Sequence, residues 1–288
     1  MKIMVFGSTG FIGERLVKKL HEKGHEVVRA TLRGKHGSWE SEVAHCDAIV
    51  NLAGESLFNK RWNTDVKAAI YDSRIQGTHR IVDAIGAAKK AGGKIKVLVN
   101  ASAVGFYGPS WDELNESSPE GSDFLAFVCR DWEAEARRAE GTFGVRTVIT
   151  RLGIVLGSEG GALAKLVLPF KLGVGGPIDL GKQWTSWIHV DDVVGILMHA
   201  LENESVRGVL NATAPQPVTN KEFSKALGRA LHRPSWLPVP GIALGILLGE
   251  VAEILVTGQK ALPKRTLESG YTYRYPAIDA AMTAAVAS

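Results

Sequence analysis

The sequence predicts an α/β protein built on a doubly wound parallel sheet, with a smaller C-terminal lobe. Three observations predict it. Apolar, strand-like runs alternate with helical stretches as far as residue 155. The first run ends in the glycine turn Gly7-Ser8-Thr9-Gly10-Phe11-Ile12-Gly13, after which a helical pattern starts. Beyond Val155 a glycine-rich stretch and a proline-bearing tail replace the alternation. Strands joined through helices in this order cross over right-handedly and form a parallel sheet covered on both faces.

In chain order, residues 3–6 read as the first strand, 11–23 as the first helix, 25–32 as the second strand and 46–53 as the third. A long helix over 62–91, a fourth strand over 95–101, a helix over 124–139 and a fifth strand over 145–155 follow. Glycines then surround an apolar stretch at 163–172, and 184–190 reads as a strand. Asp191 or Asp192 is placed as N-cap of a helix running to Leu201, since a short acidic side chain can accept from free first-turn amides. Residues 209–214 read as a returning strand and 220–231 as a helix. The expected division is a Rossmann-type dinucleotide-binding domain over 1–215, its insertion at 157–185 contributing to the lobe, and a smaller lobe over 216–288. The apolar run 242–256 carries Glu250 and Glu253 and is shorter than the roughly 20 residues of a membrane span, so it reads as a buried or groove-lining helix.

The opening turn has the form of a pyrophosphate cradle. Gly7 permits a tight exit from the strand, Gly10 leaves room for a phosphate at the backbone, and Gly13 lets the helix approach the sheet. Thr9, Phe11 and Ile12 complete the turn, and the free amides at the helix start face the anion. An NAD-preferring fold places Asp or Glu near the end of the second strand to bind the ribose 2′-hydroxyl. Here that place offers Arg33, Lys35 and His36, which suit a 2′-phosphate or else form a solvated basic loop. NADP(H) is the cofactor this predicts.

With 288 residues, 45% hydrophobic and 22% charged, the composition is that of ordinary globular protein. A formal net charge of +4, without a basic stripe interleaved with aromatics, gives no reason to expect nucleic acid as a partner. Two cysteines, Cys46 and Cys129, make neither a disulfide framework nor a metal knuckle, so a cytoplasmic location is expected. No charged segment followed by a long apolar run leads the sequence, so neither a secretory signal nor a membrane partner is expected. The expected partner is a small-molecule substrate, with the oligomeric state open between monomer and homodimer.

The residues also carry a resemblance. The turn GSTGFIG, Asn51-Leu52-Ala53-Gly54, the run SAVGFYG over 102–108 and WIHVDD over 187–192 resemble the extended short-chain dehydrogenase/reductases. More narrowly, NLAGES at 51–56, Ser73-Arg74, Cys129 with Trp132-Glu133, LPFKLGVGGP at 168–177 and the tail 248–275 are similar to an atypical branch, the epimerase family proteins, which bind NADP(H) and end in a domain of unknown function. The resemblance implies that Leu52, Ala53 and Gly54 lie on the adenine side of the cofactor, that Val155 lies near the nicotinamide, and that Arg74 bonds the nucleotide. For Arg74 a helix-surface ion pair is the alternative.

The larger family works through a Tyr-x-x-x-Lys pair, whose phenol exchanges a proton with the substrate oxygen. None of the five tyrosines here has Lys four residues on, and the two registers available in the 124–139 helix place Leu125 with Cys129 or Phe127 with Asp131. Ser102, where the larger family places its substrate-oxygen donor, and Tyr107 in the loop beyond it remain as candidate catalytic residues; each is otherwise a packing or strand-end group. His189 reads as a structural histidine, while Trp184 and Trp187 read as packing residues or cleft walls. Three functions follow: an NADPH-dependent oxidoreductase acting on a small carbonyl substrate, a nucleotide-sugar epimerase or dehydratase, or a non-catalytic NADP(H)-binding sensor or scaffold.

Overall fold

A computed structural model describes residues 1–33 and 39–287. The sheet strands are β1 (Lys2–Phe6), β2 (Glu26–Ala30), β3 (Ala48–Asn51), β4 (Val97–Ala103), β5 (Arg146–Leu152) and, after the short strands β6 (Ile154–Leu156) and β7 (Trp187–His189), β8 (Gly208–Ala212). All six sheet strands are parallel, in the order β8-β5-β4-β3-β1-β2. β1 and β3 are direct neighbours and, among the described residues, β2 is the edge, with no strand outside it as there would be in the 3-2-1-4-5-6 order. The chain reverses its direction of winding between β1 and β3, and ligands of open α/β sheets bind at that switch point, outside the carboxyl ends of the strands.

The alternation of β1 fills both faces. Ile3 and Val5 join one core with α1 (Phe11–Glu22) and α5 (Val190–Glu202), while Met4 and Phe6 join the other with α2 (Thr64–Lys90) and α3 (Phe124–Phe143). Asn63 caps α2 by accepting from the Val66 amide at 2.8 Å, and Asp123 caps α3 by accepting from Ala126 at 2.9 Å. A third core belongs to the lobe, where α4 (Gly161–Lys171), α6 (Asn220–Ala230) and a last helix (Ile278–Ala287) pack Leu163, Phe170, Phe223 and Met282 together.

Three element expectations are corrected. The single strand over 145–155 is two strands: a Cβ at Gly153 would lie 2.6 Å from the Ser186 oxygen, and beyond this close approach β6 leaves the sheet to pair with β7. The N-cap of α5 is His189, whose Nδ1 accepts from the Asp191 amide at 3.1 Å. The run 242–256 is broken into α7 (Gly241–Leu248), a 3-10 turn and Glu253–Val256, with Gly249 at φ +66° making the break.

Asp192, freed from capping, holds the tail. Its carboxylate accepts from the Tyr271 hydroxyl at 3.0 Å and from the Arg274 and Tyr275 amides at 2.7 and 2.9 Å. Tyr271 and Tyr273 thereby pack against the core that contains Ile3 and Val5. None of the described helices is long and apolar enough to cross a membrane.

Candidate functional site

A cavity of about 770 Å³ runs along the carboxyl ends of the strands and on under the lobe. The turn after β1 contributes Gly7, Gly10, Phe11, Ile12 and Gly13, and the loop after β3 contributes Leu52, Ala53 and Gly54. Ser102 enters from β4, Arg74 from α2, and Val155 from β6.

The glycines divide by what a side chain would strike. A Cβ at Gly7, where φ is +75°, would sit 2.8 Å from the Leu52 carbonyl, and one at Gly13 would sit 2.1 Å from the Gly7 oxygen. Both positions are fixed by the packing of the protein itself. A Cβ at Gly10 meets only the Gly7 oxygen, at 3.3 Å, so the space there opens to the cavity. The first amides of α1 have no side-chain cap and no partner within the helix, which makes this turn a fit for a phosphate group.

Arg74 lies beside Gly54, where a Cβ would come within 3.0 Å of its guanidinium carbon, and 5.2 Å from the centre of the Trp132 ring. It donates to the Ile70 carbonyl at 3.1 Å. Burial lowers its pKa, so an acceptor entering the cavity would relieve a desolvated charge.

The remaining sequence candidates lie elsewhere. Arg33 is 87% exposed and pairs with Glu55 at 3.2 Å, Thr9 is exposed, and neither lines the cavity. Lys35 and His36 fall outside the described residues. Tyr107 also does not line the cavity: it is buried, its hydroxyl donates to Asn211 Oδ1 at 2.8 Å and accepts from Arg151 Nη1 at 2.9 Å. Burial pushes its phenol up although Arg151 pulls it down. His189 caps α5 through Nδ1 and sets its ring 4.1 Å from that of Tyr275, while its buried Nε2 has no hydrogen-bond partner among the described residues; no metal-ligand cluster exists among those residues. Trp184 lines the cavity, whereas Trp187 is fully buried and donates to the Gln216 carbonyl.

On α3 the register facing the cavity is Leu125 with Cys129; Phe127 is exposed and Asp131 accepts from Tyr71. An apolar side chain and a thiol therefore occupy the face where the larger family carries its phenol and lysine. One turn further, Glu133 is fully buried and binds Ser102 Oγ at 2.8 Å and Arg151 through both carboxylate oxygens at 2.7 and 2.9 Å. Burial works against the charge of Arg151, but Glu133 reverses the effect and holds the guanidinium pKa above its usual value. This network escaped the sequence reading. Its signal is Arg151 near the end of the inner strand RTVITRL, in a parallel sheet buried on both faces, where a charge requires a buried counter-ion.

Burial, and next the Glu133 carboxylate, pushes the Cys129 thiol up to about 11. Only the thiolate attacks alkylating agents, so at pH 8 labelling of Cys129 by iodoacetamide is expected to run about 10²-fold slower than that of free cysteine, rising about tenfold per pH unit to pH 10. Mass spectrometry of timed samples measures it. Rapid labelling at pH 7 would show a stabilised thiolate instead.

The glycine turn at the switch point, the open helix amides and the strand-end cavity define a dinucleotide-binding α/β protein. The chain belongs to the NAD dependent epimerase/dehydratase family, which residues 3–212 match, and residues 239–285 match a domain of unknown function, DUF1731. It is 42% identical over 304 residues to the chloroplastic epimerase family protein SDR39U1 homolog of Arabidopsis thaliana, covering 99% of this chain and 86% of that protein. To the epimerase family protein YfhF of Bacillus subtilis it is 38% identical, covering 100% and 98%. The crystal structure of human epimerase family protein SDR39U1 (isoform 2) with NADPH is similar at a TM-score of 0.89 and 39% identity, covering 100% of this chain and 99% of that one.

Proposed function

We propose that this protein is a cytoplasmic NADPH-dependent oxidoreductase that reduces a small carbonyl compound. The observation that carries the reading is that one cavity is lined both by the dinucleotide cradle and, by way of Ser102, Cys129 and Val155, by the lobe residues Leu166, Phe170 and Phe223, where a second ligand would lie. The human relative crystallised with NADPH supports the cofactor. Gly7, Gly10 and Gly13, with the amides of Phe11 and Ile12, would hold the pyrophosphate; Leu52, Ala53 and Gly54 the adenosine side; Arg74 a polar group of the nucleotide; and Val155 the nicotinamide side. NADPH supplies the hydride when bound.

Ser102 is the hydroxyl at the carboxyl end of β4 in this site, placed to hold a carbonyl oxygen. Ser102 Oγ donates to the Glu133 carboxylate at 2.8 Å, which fixes the Oγ position at the strand end. Turning that proton to the carbonyl oxygen would stabilise the alkoxide as it forms, with water restoring the proton afterwards. Tyr107 has no part in this, since its hydroxyl is committed behind the cavity wall. Ser102→Ala is expected to lower kcat/KM for an accepted carbonyl by roughly 10² while leaving NADPH affinity within about twofold. NADPH oxidation across aldehydes, ketones and quinones measures it, and an unchanged rate in the variant rules out this role.

Epimerases of the larger family need the phenol and lysine whose places Leu125 and Cys129 take, which weighs against an epimerase. The same substitution favours a second reading, a non-catalytic NADPH binder. Tight NADPH binding without turnover on any carbonyl would select it.

The preference for NADPH over NADH is expected to shrink about threefold to tenfold in Arg33→Ala, as suits one exposed charge-assisted contact that must first part from Glu55. Titration of both cofactors against both proteins measures the change. Equal affinities in the unmutated chain would remove the basis for the preference.

A further inference from the structure

We propose that the carbonyl substrate of this site is lipophilic, an aldehyde, ketone or quinone bearing a hydrocarbon body, and not a nucleoside-diphosphate sugar. The inference rests on the oxidoreductase reading and adds the substrate class to it. The lobe side of the cavity is walled by Leu166, Phe170, Phe223, Val239, Leu244 and Ile254. Among the described residues that line the cavity three are charged, Arg74, Asp123 and Glu253. Arg74 belongs to the dinucleotide side, beside Gly54, and the other two are carboxylates, one of them capping α3 at 2.9 Å.

A nucleoside diphosphate would bring further negative charge into this enclosure, where the remaining ionic groups are of the same sign. Burying that charge without cations is costly, whereas a hydrocarbon loses only water. The entrance has the same character. Val174 lines the cavity and is 51% exposed, and α7 turns Leu244 inward while Ile242, Ile246 and Leu247 are 82%, 74% and 69% exposed. A hydrocarbon chain entering between these segments meets mostly apolar side chains, with Asn220, Ser224 and Thr257 as uncharged polar groups in the same lining.

The test uses NADPH-loaded protein and straight-chain primary alcohols from butanol to decanol, which NADPH cannot reduce. Their binding is read from tryptophan fluorescence, since Trp62, Trp132 and Trp184 line the cavity. The affinity is expected to rise about three- to fourfold per methylene until the wall is filled. Leu166→Gln, at a half-buried helical position, is expected to weaken decanol at least about tenfold with NADPH affinity unchanged.

UDP-glucose is the polar comparator and is expected not to bind at millimolar concentration. Affinity independent of chain length, or UDP-glucose binding more tightly than decanol, overturns the inference. Aldehydes of matched length separate the two readings. Alcohols that bind with the expected increment, alongside aldehydes that draw no NADPH oxidation, would uphold the lipophilic pocket and remove the reductase. Aldehydes reduced at rates indifferent to chain length, with no increment among the alcohols, would do the reverse.

Discussion

Replacing Gly10 by valine is expected to weaken NADPH binding by at least about 10³-fold, or about 4 kcal/mol, while the ligand-free chain remains folded. The new Cβ meets only the Gly7 oxygen at 3.3 Å, and the backbone there, at φ −84°, is one that any residue adopts. Gly10 is also the N-cap of α1, so a branched apolar residue costs about 1 kcal/mol of helix capping and a few degrees in Tm. The branches of valine project into the space that a phosphate needs, in front of the Phe11 and Ile12 amides. Gly13→Val should behave oppositely and prevent folding, because its Cβ would lie 2.1 Å from the Gly7 oxygen. Thermal melts with and without NADPH distinguish the two. A ligand-induced rise retained in Gly10→Val would show that the phosphates lie elsewhere.

Glu133→Ala is expected to destabilise the fold by about 3–5 kcal/mol, the cost of breaking one side of a buried pair. That corresponds to a fall in Tm of roughly 10 °C for a chain of this size. The loss strands Arg151, 2% exposed and held between Glu133 and the rings of Phe106 and Tyr107, and takes the acceptor from Ser102. Glu133→Gln keeps the acceptor and the shape and should recover part of the loss. Glu133→Leu combined with Arg151→Met should be less damaging than either change alone, since no uncompensated charge is left inside. Differential scanning calorimetry measures all of these, and a Glu133→Ala protein melting with the wild type would contradict the buried pair.

The parts of this protein most legible in its sequence are those fixed by local rules. The glycine turn, the alternating strands and the long helices obey periodicity and backbone sterics within a few residues, so Gly7, Gly10 and Gly13 could be placed with their separate tasks. The strand order was not legible at that range. Which strand lies beside β1 depends on pairings between distant segments, such as Ile3 with Ala48, and no local pattern reports them. Gly249 hid in the same way: an apolar run looks helical until one residue adopts φ +66°.

The site was half legible for a related reason. Residues that hold a ligand with their backbone announce themselves through glycine. Residues that act through their side chains do so only in the company of partners distant in the chain. Tyr107 looked available because Arg151, 44 positions away, and Asn211, 104 positions away, could not be placed against it. Asp191 and Asp192 looked interchangeable as caps, and partners distant in the chain distinguish them: Asp191 pairs with the side chains of Arg15 and Arg274, whereas Asp192 holds the backbone amides of Arg274 and Tyr275. The exposed Arg33 and the carboxylate of Glu55 form another such pair, joined across two loops.

The grip of Asp192 on residues 271–275 also sets a timetable for synthesis. Tyr271 and Tyr273 close the core on the α5 side of the sheet, with Tyr271 against Gly195 and His199, so nearly the whole chain must leave the ribosome before that side is fully covered. Until then the nascent sheet carries an open apolar flank, the state in which large α/β chains associate wrongly or recruit chaperones. Ribosome-bound chains stalled before residue 271 should accordingly be sensitive to protease throughout, and chains released just past residue 275 should acquire protection in a single step.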